Sequence, residues 1–397
     1  MTRQSDTTRI LISKQAAQRL ADSISRRRFL ALGGGVAAAA ALAACGSSGG
    51  GGSTSTSPGG TTAPGGAVDK KLNLYTWAEY DDPDLLKAWG DISLTIFDSN
   101  EQAVQKLVTG GGSSGFDMVV PTGPYVPQLA KAGLLEEIDK TKIPNFSNLD
   151  SRYTNQPWDL GNKYSVCKNW GTTGWFYDST VVKTEIKTWS DFIKAAQTEA
   201  SGQTTVLDAP PDLCGIYFWA NGIDWTTEKT EDLDACEKFL VNDFASHIKA
   251  FNSYPGVDLT SGSFALSQVF IGDARAGLLG VQEAGEDVSR YKWGIGAPMT
   301  ELWMDNWCVL KGAKNRDAAY DFINFVLEPA NSVKDLNYHG YNTGIVGIED
   351  LAGDIDFKDM VFYTSAAQLA TMQSGAVNSA QDRIVKIYSN VKAKAGG

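Results

Sequence analysis

Histidine is nearly missing: only His247 and His339 occur in 397 residues. Neither lies in a Ser, Cys or Asp pattern that suggests a nucleophile with its base. HExxH, Walker A and GxSxG arrangements are absent as well. The chain therefore carries none of the common signatures of zinc hydrolases, P-loop enzymes or α/β-hydrolases. Gly110–Gly115, "GGGSSG", lacks the Lys-Ser/Thr of a phosphate loop and reads as a flexible turn. Positive charge is short too, with a net charge of −11. Seven Lys/Arg and two Asp/Glu lie in the first 44 residues, leaving 28 basic against 44 acidic residues beyond them. So acidic a body argues against a nucleic-acid partner, because phosphate binding needs a basic surface. It is compatible with a cationic ligand. Five cysteines occur, in no zinc-finger spacing, and nothing calls for a metal or cofactor.

What is present begins with a targeting device. "SRRRFL", Ser25–Leu30, precedes the apolar run 31–45, "ALGGGVAAAAALAAC". A basic segment, a short apolar stretch and a small-residue end make a signal peptide. The run is too short and too rich in Gly and Ala to span a membrane well. The arginines with Phe29-Leu30 look like a twin-arginine export signal, and "LAAC" resembles a bacterial lipobox ending in Cys45. Residues 1–44 then read as signal, and an acylated Cys45 attaches the protein to the membrane surface. Residues 45–68, dominated by Gly, Ser, Thr and Pro, read as a disordered tether.

Four cysteines remain in the body: Cys167, Cys214, Cys236 and Cys308. An even count in an exported chain permits two disulfides. The favoured pairs are Cys214–Cys236, on neighbouring predicted helices, and Cys167–Cys308; four buried thiols are the alternative.

From residue 71 the pattern alternates. "LNLYTW", "SLTIF" and "FDMVVP" read as strands, with helices between and after them over "DPDLLKAWG", "NEQAVQKLVTG" and "YVPQLAKAG". Ser99 is the expected N-cap of the second helix. The β-α-β-α-β order argues for a parallel sheet covered by helices. A second α/β series follows the aromatic stretch "YSVCKNWGTTGWFY". It includes a helix over "FALSQVFIG" and a strand over "AGLLGV". Two such series, with later segments returning, predict two lobes: 69–172 plus 305–350, and 173–304 plus 351–397. A ligand belongs between them, where strand ends face each other.

"LWMDNW", residues 302–307, is the most informative short stretch. In a strand, Trp303, Asp305 and Trp307 share a face. Aromatic faces attract ammonium groups and bury methylenes, and a carboxylate accepts a charge-assisted hydrogen bond from an ammonium end. Core packing is the expected role of Trp307. Carboxylates with aromatic platforms also leave a carbohydrate-active or sugar-binding protein open.

Several stretches together resemble the extracytoplasmic spermidine/putrescine-binding proteins of ABC importers. They are "LNLYTWAEYDDPDLLKAW", "FDSNEQAVQKL", "FDMVVPTGPYVPQLAKAGLLEEIDKTKIPNFSNLD", "YSVCKNWGTTGWFYDST", "WMDNWCVL" and "DAAYDFINFVLEPA". The resemblance implies a two-lobed α/β type II periplasmic-binding-protein fold that closes on its ligand, hands it to a membrane permease and performs no catalysis. It implies ligand contacts at Trp77, Tyr80, Thr122, Tyr125, Asp212, Trp303 and Asp305. Three departures stand out: Ala209 takes the place of a second acid, Gly280 that of a tryptophan with Gln282 and Glu283 nearby, and Cys167 that of a proline. Glu283 is therefore kept as a candidate contact. The expectation is a monomeric, lipid-anchored, extracytoplasmic receptor for a small cationic amine, putrescine or spermidine. Receptors for another small amine or an amino acid remain the alternative. The chain would cross between lobes near 170–175 and 303–306, and a Cys167–Cys308 disulfide would stiffen that hinge.

Overall fold

The computed structural model describes residues 68–396, except 112–113, 254, 256–260 and 364. The signal, Cys45 and the tether up to residue 67 lie outside the described residues. Among the described residues no helix is long and apolar enough to cross a membrane.

The first series forms as its sequence dictates. Strand β1 (Lys71–Trp77) leads to α1 (Pro83–Trp89), where Pro83 sits in the first turn and the Asp82 carboxylate accepts the Asp84 amide hydrogen. Strand β2 (Asp91–Phe97) leads to α2 (Asn100–Gly110), capped by Ser99, whose hydroxyl accepts from the Gln102 amide. Strand β3 (Met118–Val119) and α3 (Val126–Lys131) follow. Strand β1 runs parallel to both β2 and β3, as expected of crossover units.

The long strand β4 (Val166–Asp178) then changes the pattern. All 13 of its residues are buried. Its first half pairs antiparallel with β9 (Thr300–Val309), and its second half pairs antiparallel with β7 (Leu266–Phe270) and β8 (Tyr291–Ile295). Beyond it lie α4 (Trp189–Gln197), β5 (Thr204–Leu207), α5 (Pro210–Ala220), α6 (Thr230–Phe239) and β6 (Ile248–Asn252). Helix α7 (Ile271–Glu283) follows β7, and α8 (Arg316–Val326), α9 (Pro329–His339), α10 (Ile348–Ala352), α11 (Ala366–Leu369), β10 (Met372–Gln373) and α12 (Gln381–Ala395) complete the chain. The strand order is β2-β1-β3-β9-β4-β7-β5-β6, with β10 on β9 and β8 on β4. The two α/β halves thus share β4 and β9, and the sheet is mixed rather than parallel throughout.

Each half has its own packing. Tyr75, Phe97, Val119 and Leu129 fill one face of the first half. Trp175, Trp189, Phe192 and Trp219 fill the second. A third cluster, holding Trp170, Trp307 and Phe322, packs α8 against β4 and β9. Trp307 stands edge-on to Phe322 at 5.3 Å, as a core residue should.

Two expectations fail here. The "FALSQVFIG" helix and "AGLLGV" strand are reversed: Leu266–Phe270 is strand β7 and Ile271–Glu283 is helix α7. A helix buried on most sides reads as a continuous apolar run, which periodicity alone cannot separate from a buried strand. Neither disulfide forms: all four body cysteines are buried free thiols. Cys167 and Cys308 belong to separate core clusters. Cys214 and Cys236 are neighbours, but the Cys236 thiol donates to the Cys214 carbonyl at 3.9 Å instead of bonding to sulfur.

Candidate functional site

Alternation along β9 puts Glu301, Trp303 and Asp305 on one side. Asp305 is 6% exposed. Its Oδ2 accepts the Tyr80 hydroxyl at 2.6 Å and its Oδ1 the Thr122 hydroxyl at 2.7 Å. Tyr80 comes from the turn after β1, where Glu79 takes a left-handed φ of 53°. Thr122 follows β3 and makes an isolated bridge to Asp305. Burial lifts the Asp305 carboxyl to about 6, against the pull of the two hydroxyls and of Lys168. Among the described residues no Lys or Arg is ion-paired with Asp305, so its neighbours hydrate the charge without cancelling it.

Lys168 is a cation whose charge acts on Asp305, and it is committed elsewhere. The β4–β9 register shifts between Cys167 and Asn169, leaving Lys168 as the extra residue of a bulge. Bulges re-aim side chains. The Lys168 ammonium, fully enclosed, meets Asp81 at 2.9 Å and Asp335 at 3.0 Å. It lies 4.8 Å from the Tyr80 ring centre and 4.6 Å from that of Trp307. Asp335 also meets His339 at 3.3 Å. Burial opposes the Asp335 charge, but Lys168 and His339 together hold its carboxyl well below the usual range. Burial likewise opposes the Lys168 charge, and the two aspartates more than offset it.

A second acidic group adjoins the first. Asp212, in the first turn of α5, and Glu301 lie 3.0 and 3.1 Å from the Thr173 hydroxyl and hydrogen-bond to each other. Two carboxyls can bond only if they share a proton. Burial raises both, Asp212 to about 6, and the Asp212 charge pushes Glu301 higher still. Gln268 on β7 holds this corner, donating to the Asp212 carbonyl at 2.8 Å and accepting the Leu207 amide hydrogen at 3.1 Å. A further acid, Asp273, sits in the first turn of α7, bonded to Tyr341, and burial raises it to about 7.

Aromatic walls connect these groups. Trp303 packs edge-on against Tyr341 at 4.7 Å and Phe270 at 5.9 Å. Its indole lies over Gly171, the residue opposite it in the ladder, where a Cβ would come within 2.3 Å of the ring. The buried Trp303 indole N–H has no hydrogen-bond partner. No group of three or more metal-ligating side chains occurs among the described residues.

The structure thus brings Tyr80, Thr122, Asp212, Trp303 and Asp305 into one region. Trp77 closes β1 with its indole N–H on the Val120 carbonyl at 3.0 Å and its ring 4.4 Å from Phe97. Tyr125 donates to Glu101, and Gln381 of α12 reaches the same carboxylate at 3.0 Å. Glu283 does not belong to the group. It is exposed in the last turn of α7, about 15 Å along the helix from Asp273 by helical rise. The aromatic residue that meets Trp303 from this part of the chain is Phe270, not a neighbour of Gly280. Glu301 is legible by one more step of the alternation that links Trp303 to Asp305. Asp273 is hidden by the reversed reading of β7 and α7, and Tyr341 arrives from a loop with no local pattern.

Known proteins resemble the chain over most of its length. The family model for bacterial extracellular solute-binding proteins matches residues 86–357. A putrescine/agmatine-binding protein of Pseudomonas aeruginosa is 29% identical over 294 residues, 70% of this chain and 79% of that protein. A spermidine/putrescine-binding periplasmic protein of Escherichia coli K12 is 27% identical over 330 residues, 81% of this chain and 91% of that one. Among solved structures, a lipoprotein of Treponema pallidum superimposes with a TM-score of 0.71 at 24% identity, over 81% of this chain and 99% of that one. Family match, two-lobed α/β architecture and an enclosed acidic, aromatic site agree, and the chain belongs to the bacterial extracellular solute-binding proteins.

Proposed function

We propose that this protein is the substrate receptor of an ABC importer and captures a small cationic amine, putrescine or spermidine. One observation carries the reading: Asp305 is enclosed and hydrogen-bonded, yet ion-paired with no resident Lys or Arg, while Lys168 nearby is held by Asp81 and Asp335. An isolated buried carboxylate is costly, so the charge is best satisfied by a guest ammonium. Trp303, Tyr80 and Tyr341 supply walls for the methylenes. Asp212 with Glu301, and Asp273, supply acids for a second ammonium. Enclosed carboxylates favour a cation over a neutral sugar. The names of the relatives from P. aeruginosa and E. coli, which bind putrescine with agmatine or spermidine, support the same reading.

The receptor performs no chemistry in this reading. Its lobes, 69–172 with 305–350 and 173–304 with 351–397, close by bending of β4 and β9 where both strands run through both halves. The closed form is the one a permease meets. Acylation of Cys45 anchors the monomer outside the cell, and the following segment tethers it.

A thermal-shift panel of putrescine, spermidine, amino acids and oligosaccharides tests the reading. A polyamine at a hundredfold its Kd stabilises the folded state by about 2.7 kcal/mol. A shift with polyamines alone is expected. A shift with sugars or amino acids and none with polyamines overturns the proposal.

A further inference from the structure

The seat of Asp305 contains a conflict over hydrogens. Tyr80 has one hydroxyl hydrogen, but its oxygen lies 2.6 Å from Asp305 Oδ2 and 2.6 Å from Asn169 Oδ1. The other end of that amide, Nδ2, faces His339 Nε2 at 3.3 Å. His339 Nδ1 accepts the Tyr341 amide hydrogen at 3.0 Å, so the ring hydrogen is on Nε2. An N–H then faces an NH2. Half a turn of the Asn169 amide, which exchanges two groups of nearly equal size, removes both conflicts. The His339 Nε2 hydrogen, which Asp335 Oδ2 also faces at 3.3 Å, then meets an oxygen instead of an NH2; the Asn169 NH2 donates to the Tyr80 oxygen, and the Tyr80 hydrogen goes to Asp305.

Thr122 stands in the same relation to a different asparagine. Asn100 Oδ1 accepts the Thr122 backbone hydrogen at 3.0 Å, which fixes that amide's orientation. Its Nδ2 must then donate to the Thr122 hydroxyl oxygen at 2.9 Å, and the Thr122 hydrogen falls on Asp305. The register agrees: Asn169 lies directly opposite Asp305 in the β4–β9 ladder.

We propose that Asn100 and Asn169 are positioning residues that each donate to one hydroxyl and thereby commit both hydroxyl hydrogens to Asp305. The seat is then acceptor-only. A carboxylate has about four lone-pair sites, and the two hydroxyls take two. The remainder accept N–H groups, while neither hydroxyl has a hydrogen left for a guest's carboxylate or carbonyl. Selection for an ammonium end, and against an acidic one, is built into the direction of the hydrogen bonds. Asn169 draws its orientation from His339, whose Nδ1 accepts from the Tyr341 amide and whose Nε2 therefore has no lone pair for an NH2; burial lowers the ring's affinity for a second proton, against the pull of Asp335. This inference rests on the amine-receptor reading.

The rival arrangement reverses one arm: a protonated Asp305 donates to Tyr80, which donates to Asn169 Oδ1. Two experiments decide. Nitrogen-15 spectra of the ligand-free protein report the His339 tautomer without any ligand. Hydrogen on Nε2 is expected, and hydrogen on Nδ1 overturns the relay. Putrescine titration of wild type, Asn169→Leu, Tyr80→Phe and the double variant forms a cycle. Asn169→Leu is expected to weaken binding about threefold to tenfold, the worth of one hydrogen bond. In the Tyr80→Phe background the same change is expected to add nothing, because Asn169 acts through Tyr80. An equal loss in both backgrounds marks Asn169 as packing and overturns the proposal. If wild type binds no amine, the receptor reading falls separately, and the His339 tautomer still judges the relay.

Discussion

Replacing Lys168 with methionine keeps most of the side chain's length and removes its charge. The consequences can be worked from the geometry. Asp81 and Asp335 lose ammonium contacts of 2.9 and 3.0 Å in a place that water does not reach. Removing one member of a buried ionic group costs about 3–5 kcal/mol. At roughly 2–4 °C per kcal/mol, the melting temperature at pH 7.5 falls by about 6–20 °C. The pH dependence has a definite sign. In the wild type the Asp335 carboxyl lies below its unfolded value, so its contribution is present above the ordinary carboxylate range and lost as acid protonates the folded form. Without Lys168, burial raises the same carboxyl. Its folded value then lies above that of the wild type, with His339 left to oppose burial, so the variant gains less stability than the wild type as pH rises. The deficit of Lys168→Met relative to wild type is therefore smallest near pH 4 and largest above pH 7. Taking the difference cancels the acids that Lys168 does not act on; Asp305, which also loses the pull of Lys168, adds a change of the same sign. Scanning calorimetry from pH 4 to 8 measures it. A variant within about 2 °C of wild type at pH 7.5, or a deficit that does not change with pH, refutes the reasoning.

Three further outcomes follow. Glu301→Gln ends the need for Glu301 and Asp212 to share a proton; because both carboxyls are raised by burial, the ligand-free variant should gain melting temperature at pH 7.5 and gain less at pH 5. Asp273→Ala should weaken putrescine binding, whereas Glu283→Ala, at the exposed end of the same helix, should leave it within about twofold by calorimetry. Alkylation of the native protein should spare Cys167, Cys214, Cys236 and Cys308, all buried free thiols, and mass spectrometry after unfolding without reductant should find all four modified.

Much of the architecture is legible because local signals and tertiary structure agree. Asp82 and Pro83 open α1, Ser99 caps α2, and Trp303 with Asp305 obey the strand period. The site is less legible because it is assembled from contacts remote in sequence. Asp305 is 183 residues from Thr122 and 225 from Tyr80. A lysine within "YSVCKNWGTTGWFY" is a sign of buried compensation, since a charge in a central strand needs a partner. Its partners Asp81 and Asp335, and the bulge that aims it, have no local signature. Helix α7 fails for a different reason. Leu278, Val281 and Ile271 are all buried, and Gly272 and Gly277 on the buried side add no apolar side chain to the pattern, so the amphipathic period that marks a surface helix is weak. That single misreading hides Asp273 and promotes Glu283. The cysteine expectation fails because parity and export permit disulfides but do not supply the geometry they need.

A resident cation and an absent one therefore divide the acids of this protein. Asp81 and Asp335 have Lys168, while Asp305, Asp212, Glu301 and Asp273 have hydroxyls, each other or a shared proton. Isothermal titration of putrescine against wild type and Asp305→Ala tests whether that difference is what the receptor uses. Binding by wild type is expected, with affinity reduced roughly tenfold to 150-fold in the variant, the worth of one charge-assisted hydrogen bond. Equal affinity in both proteins would contradict the account, because Asp305 would then have no part in holding the amine.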